Sequence, residues 1–146
     1  MQTISAYMQQ NHRDCDELFV RVEASASEGN WDDVARHFDD YNNSVERHLV
    51  MEEQVLFPAF EAATGNTEGP TVIMRMEHEQ MRGLLKVLKS CLDSQDQQQF
   101  LGLTETLMML TQQHNMKEEQ MLYPMTDQAL SDGAAVLAEM RAVGDA

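Results

Sequence analysis

His48 and Glu52 stand four residues apart in HLVMEEQVLFP, residues 48 to 58, and His114 and Glu118 stand four apart in HNMKEEQMLYP, residues 114 to 124. On a helix, residues i and i+4 are about 40° apart around the axis and about 6 Å apart along it, so both side chains point the same way. A neutral imidazole nitrogen and a carboxylate oxygen can then converge on one transition-metal ion. The separation of 66 residues between the two stretches also carries His12 in NHRDCDEL onto His78 in EHEQMRGL, Met8 onto Met74 and Leu18 onto Leu84. A two-helix unit with one histidine on its first helix and HxxxE on its second is therefore written twice. A single HxxxE is common on exposed helix faces. Two copies with matched upstream histidines point instead to a metal site built from His12, His48, Glu52, His78, His114 and Glu118. Four imidazoles and two carboxylates buried without a cation would be costly, and two metals bridged by the glutamates would balance the set. Iron, manganese and zinc all accept such nitrogen and oxygen donors.

The elements that must position these residues are helices. Only 3 prolines and 7 glycines interrupt the 146 residues, no aromatic or β-branched runs alternate with period two, and long stretches place apolar residues at helical spacing. The first helix is expected from about Thr3 to Glu28, stopped by Gly29, and Asn30 stands where an N-cap belongs ahead of Asp32 and Asp33. The second should run to about Ala63. GNTEGP at residues 65 to 70 is the clearest connector, with Pro70 in the first turn of a third helix ending near Asp93. A fourth begins around Asp96 and reaches at least Tyr123, and AAVLAEMRAV after the SDG break forms a short terminal helix packing through Val136, Leu137 and Met140. The expectation is one all-α domain over residues 1–146, an antiparallel up-and-down four-helix bundle with a short C-terminal helix. Its two repeats span about 5–63 and 70–127.

Charge and composition narrow the partners. With 10 Lys+Arg against 25 Asp+Glu, the chain carries a formal charge of -15, which disfavours a nucleic-acid or anionic-membrane surface. No apolar run approaches the roughly 18 residues needed to span a bilayer, and MQTISAYMQQNHRD lacks a basic region followed by an apolar stretch. Cys15 and Cys91 stand far apart without a CxxC, which fits a reducing, cytoplasmic setting.

On NHRDCDELF, HLVMEEQVLFP, EHEQMR and HNMKEEQMLYP, the chain resembles the hemerythrin family over about residues 5 to 125, specifically its bacterial single-domain members with the HHE cation-binding pattern. The resemblance implies a four-helix bundle around two non-haem iron ions with an oxo or hydroxo bridge. It also implies His12, His48, His78 and His114 as terminal ligands and Glu52 and Glu118 as bridges. Two departures stand out. The best-known members carry HxxxH on the third helix, where this chain has Met74, and they place the last carboxylate five residues after its histidine, which here is Glu119. Internal symmetry favours Glu118, with Glu119 as the alternative. Four histidines instead of five imply a more symmetric, more open centre, closer to the cluster-repair and nitric-oxide-reactive branch than to the oxygen carriers.

The functions this implies are binding or sensing of dioxygen, nitric oxide, peroxide or a related small molecule. The alternatives are iron donation to damaged iron–sulfur proteins, or a di-iron oxidase or peroxidase. Ferritin-like oxidases supply ExxH, and the residues three before His48, His78 and His114 are Val45, Arg75 and Thr111, which counts against that enzyme class. A metal-free helical interaction domain is the remaining class. His37 falls roughly 16 Å along the helix from His48, too far to share its metals. Tyr41 on the same face is expected to pack, and the 12 methionines to fill a plastic core. Cys15 and Cys91 read as buried, inert thiols. Of each EE pair one member should face solvent or support the other, and Pro58 and Pro124 should bend or end their helices at the bundle rim.

Overall fold

A computed structural model describes residues 2–144; the ends of the expected domain, residue 1 and residues 145–146, lie outside it. Among the described residues there is no strand. Helix α1 spans Ile4–Ser27, capped by the Thr3 hydroxyl, which accepts the Ala6 N–H at 3.0 Å. It stops where Gly29 takes a left-handed φ of 70°. Helix α2, Trp31–Met51, begins at Asn30, whose side chain accepts the Asp33 N–H. It passes without a break through a five-residue π-helical segment, Glu52–Leu56, into α3, Phe57–Thr64. Helix α4, Pro70–Ser94, is followed by α5, Gln97–Lys117, a second π-helical segment, Glu118–Leu122, and α6, Tyr123–Ala129. The short helix α7, Gly133–Gly144, buries Leu137 and Met140 against α2 and the first π segment.

Contacts between α1 and α2 pair rising with falling residue numbers, His12 with His48 and Phe19 with Tyr41, so these two helices are antiparallel. Helices α4 and α5 form the second hairpin across the tight Gln95–Asp96 link, where Gln95 adopts a left-handed φ of 56°. The hairpins close into a bundle by α1 packing on α5 and α2 on α4. At the loop end, the Gln97 amide donates to the Ala26 carbonyl at 2.8 Å and ties the hairpins together.

Apolar packing divides into two layers. Phe19, Val22, Val34, Phe38, Leu88 and Phe100 belong to the layer nearer those two links, and Ile4, Met8, Phe57, Phe60, Leu122 and Met140 to the layer at the other end. Each of the four histidines of the predicted ligand set falls between residues of the two layers, as His12 does between Met8 and Cys15 and His78 between Met74 and Met81. These histidines therefore lie at a level between two layers of hydrocarbon.

Two expectations need correction. Pro58 and Pro124 do not end their helices, which run on to Thr64 and Ala129. Phe57 N–H bonds to the Glu52 carbonyl and Tyr123 N–H to the Glu118 carbonyl, five residues back, so the hydrogen-bond register has already shifted when the donor-less proline arrives. Nor do the methionines all fill the core: Met8, Met51, Met74, Met81 and Met140 are buried, but Met76, Met109, Met116, Met121 and Met125 are exposed. Helical spacing locates a stripe but not what covers it.

Candidate metal centre

Each predicted ligand lies on a long helix at the level between the two apolar layers. His12 comes from α1, His48 from the last turn of α2, His78 from α4 and His114 from the last turn of α5; Glu52 and Glu118 open the two π segments. All six are buried, from 0% to 5% exposed. Their donor atoms gather into two groups, one of Glu52, His78, His114 and Glu118 and one of His12, His48 and Glu118, each with its atoms within 4.8 Å of one another. Glu118 belongs to both. His78 Nε2 stands 3.1 Å and His48 Nε2 3.4 Å from Glu52 Oε1, so Glu52 also faces both halves. His12 Nε2 and His114 Nε2 approach Glu118 Oε1 at 3.2 and 3.3 Å.

The fit to a cation rests on four atoms. Glu52 Oε1, His78 Nε2, His114 Nε2 and Glu118 Oε2 are buried without a hydrogen-bond partner. Leaving buried polar atoms unsatisfied costs about 1–3 kcal/mol each, more when charged. A positive ion among them removes that cost, and imidazole nitrogen with carboxylate oxygen is the donor set that iron, manganese or zinc accepts. The residues present fit a metal.

Outside the cluster every imidazole is held by its other nitrogen. His12 Nδ1 meets Glu119 Oε2 at 2.7 Å, His48 Nδ1 meets Asn11 Oδ1 at 2.8 Å, His78 Nδ1 meets Glu53 Oε2 at 2.8 Å and His114 Nδ1 meets Glu77 Oε1 at 2.8 Å. An Nδ1–H donated outward leaves Nε2 as the lone-pair donor directed inward, the arrangement of metal-binding histidines. Glu53 is anchored in turn by both terminal nitrogens of Arg82 at 2.8 Å, and Glu77 by Lys117. The second glutamate of each EE pair thus braces a histidine from another helix, and Glu119 lies on the outer side of His12 rather than inside the cluster.

The electrostatics without a cation agree. Burial pushes the His48 imidazole down, but the neighbouring Glu52 and Glu118 carboxylates outweigh it and raise its pKa well above the ordinary value. For His114 the same opposition, burial against Glu118 and Glu52, ends at about 9. Burial pushes the Glu118 carboxyl up, yet the polar groups of Glu52, His114, His12 and His48 around it hold it well below the usual carboxylate range. His48 and His114 thus hold their protons more tightly than a free imidazole does.

One central residue was not singled out by sequence reasoning. The Tyr123 hydroxyl, fully buried, lies 2.8 Å from Glu52 Oε2 and 2.9 Å from Glu118 Oε1, with His12 Nε2 at 3.2 Å and His48 Nε2 at 3.5 Å. Burial and then the Glu118 and Glu52 charges push its phenol well above the usual pKa, so it donates. Five residues after Glu118, Tyr123 would stand about 140° round a regular α-helix. The π turn swings it back over the cluster. The available signal was the alignment of Tyr123 with Phe57.

Other candidates separate cleanly. Tyr41 is buried and edge-on to Phe19 at 5.1 Å, and it lines a cavity of about 20 Å³ that touches His12, His48, His114 and Thr111. That volume admits one water-sized molecule. A neighbouring cleft of about 140 Å³ shares Asp16, Tyr41 and Thr111. His37 is half-buried and belongs to neither donor group. Met74 is packed in the apolar layer, Cys15 Sγ lies 3.2 Å from Ser44 Oγ, and Cys91 is buried in the core. No described helix is long and apolar enough to cross a membrane.

Residues 3–126 match the family model of the hemerythrin HHE cation binding domain. Neither a curated protein nor a solved structure matches the chain.

Proposed function

The chain belongs to the hemerythrin HHE cation-binding family, and from that premise we propose that it is a non-haem di-iron protein that binds or senses a small molecule such as dioxygen or nitric oxide. The observation that carries this reading is the set of unpartnered inward atoms of Glu52, His78, His114 and Glu118 beside the second donor group of His12, His48 and Glu118. Two donor groups sharing Glu118, with Glu52 facing both, support two ions with carboxylates between them.

Iron held there supplies coordination positions to which a diatomic molecule can add. The chain's own residues do the rest. Glu119, Asn11, Glu53 and Glu77 fix the four imidazoles in the tautomer that offers Nε2 inward. The apolar layers keep water from the centre, and the cavity of about 20 Å³ beside His12, His48 and His114 supports a very small incoming molecule over a bulky substrate. Burial of all six ligands favours iron that stays while small molecules come to it, over the iron-donor alternative.

The deciding experiment is elemental analysis of the purified chain with absorption spectra before and after air, then after azide. Two irons per chain and new azide bands are expected. A chain that takes up no ferrous iron overturns the reading, and transfer of its iron to an apo-cluster protein would establish the donor role instead.

A further inference from the structure

The two halves of the centre are related by the 66-residue offset in all six predicted ligands, and they differ where Phe57 is matched by Tyr123. Phe57 stacks on His78 with ring centroids 5.6 Å apart and planes at 24°. Its offset partner Tyr123 faces His12, the offset partner of His78, at 5.7 Å and 31°. The rings hold equivalent places, and the hydroxyl is what distinguishes them.

Position decides what that hydroxyl does. In an octahedral site with metal–donor distances near 2.1 Å, adjacent donors stand about 3.0 Å apart, and each vertex has four such neighbours. The Tyr123 oxygen has four: Glu52 Oε2, Glu118 Oε1, His12 Nε2 and His48 Nε2, at 2.8 to 3.5 Å. His12 Nε2 and His48 Nε2 are themselves 3.1 Å apart. The phenol oxygen is spaced as a member of a coordination shell. In the other half, the inward nitrogens of His78 and His114 have no such oxygen beside them and are left without a partner.

Resting on the di-iron reading, we infer that Tyr123 is a further protein donor to the metal ion held by His12 and His48, which makes the two metal positions inequivalent. A hard phenolate oxygen suits a ferric ion, and a bound cation reverses the preference of a buried phenol for its proton. When the ferric ion is coordinated the phenol O–H bond breaks, a metal–oxygen bond forms, and the proton passes to water with no change of oxidation state. The His12 and His48 half then has one more protein donor than the His78 and His114 half.

Resonance Raman spectroscopy of the full chain, loaded with ferrous iron and oxidised in air, tests this apart from any activity. Phenolate ring modes should appear under excitation into a visible charge-transfer band, vanish in Tyr123→Phe, and persist in Tyr7→Phe and Tyr41→Phe, the chain's other two tyrosines. Phe57→Tyr should add a second set of these modes. Iron-loaded wild-type protein without phenolate modes overturns the assignment, as does Tyr123→Phe protein that retains them. If Tyr123→Phe fails to load iron, loss of the modes in neither Tyr7→Phe nor Tyr41→Phe still assigns them to Tyr123. A wild-type chain that binds no iron overturns the di-iron reading itself.

Discussion

Glu53 and His78 meet across the interface of the first π segment and α4, Oε2 to Nδ1 at 2.8 Å, and Arg82 grips the same carboxylate with two nitrogens at 2.8 Å. The hydrogen bonds and charges of His78 and Arg82 overcome the burial that would raise Glu53, and its carboxyl ends below the usual value. An ionised Glu53 thereby holds the imidazole with Nε2 directed at Glu52.

Removing that brace should weaken the metal without unfolding the bundle. Loss of a hydrogen-bonded partner behind a metal-binding histidine costs roughly 10–100-fold in affinity. Glu53→Ala is expected to fall in that range in a competition titration against a chromophoric chelator, with an unchanged far-ultraviolet circular dichroism spectrum. An affinity within twofold of wild type, by the same titration, would show that Arg82 and packing orient His78 unaided.

Deleting an inward donor should cost more than deleting an outer brace. His48→Ala and His114→Ala each leave a buried carboxylate short of one ligand partner, and bound iron should drop to about half of wild type or less. Elemental analysis of the two variants beside His37→Ala, whose parent residue lies outside both donor groups, provides the comparison. Equal iron in all three would contradict the donor set.

Metal removal should lower thermal stability. A metal at a hundred times its dissociation constant stabilises the native state by about 2.7 kcal/mol. For a chain of this size that corresponds to a melting temperature roughly 5–10 °C higher. Differential scanning calorimetry after chelation, and again after ferrous iron is restored, measures the shift. An unmoved transition would favour a metal-free helical domain.

For the metal-free protein, pH should act in a definite direction. The folded-state pKa of His114 is raised from 6.5 to about 9, burial being outweighed by Glu118 and Glu52. Protonated His114 therefore stabilises the fold fully below its unfolded value, and that contribution is lost as pH rises through about 9. The chelated protein should melt at progressively lower temperature from pH 6.5 to pH 9, while metal affinity climbs over the same window because binding needs neutral imidazole. A melting temperature rising with pH over that interval would contradict the assignment of protons to the cluster.

Much of this molecule is legible one residue at a time. Regular helical spacing places His48 with Glu52 and His114 with Glu118 on common faces, and caps at Thr3, Asn30 and Asp96 mark where three helices begin. These are local properties, set by backbone geometry and by hydrogen bonds within a few residues. The choice between Glu118 and Glu119 is different in kind. Both glutamates follow His114 within a turn and a half, and it is the packing of the helices that leaves Glu118 in the cluster and sets Glu119 against the outer nitrogen of His12.

The sequence by itself determined the helices, the doubled constellation of histidines and glutamates, and the family. Only the tertiary structure decided which methionines meet solvent, that the helices run on through Pro58 and Pro124, and that Tyr123 joins the centre. A uniform period of 3.6 residues turns Tyr123 away from Glu118; a π turn breaks that period, and the packed bundle around it determines what the displaced side chain meets.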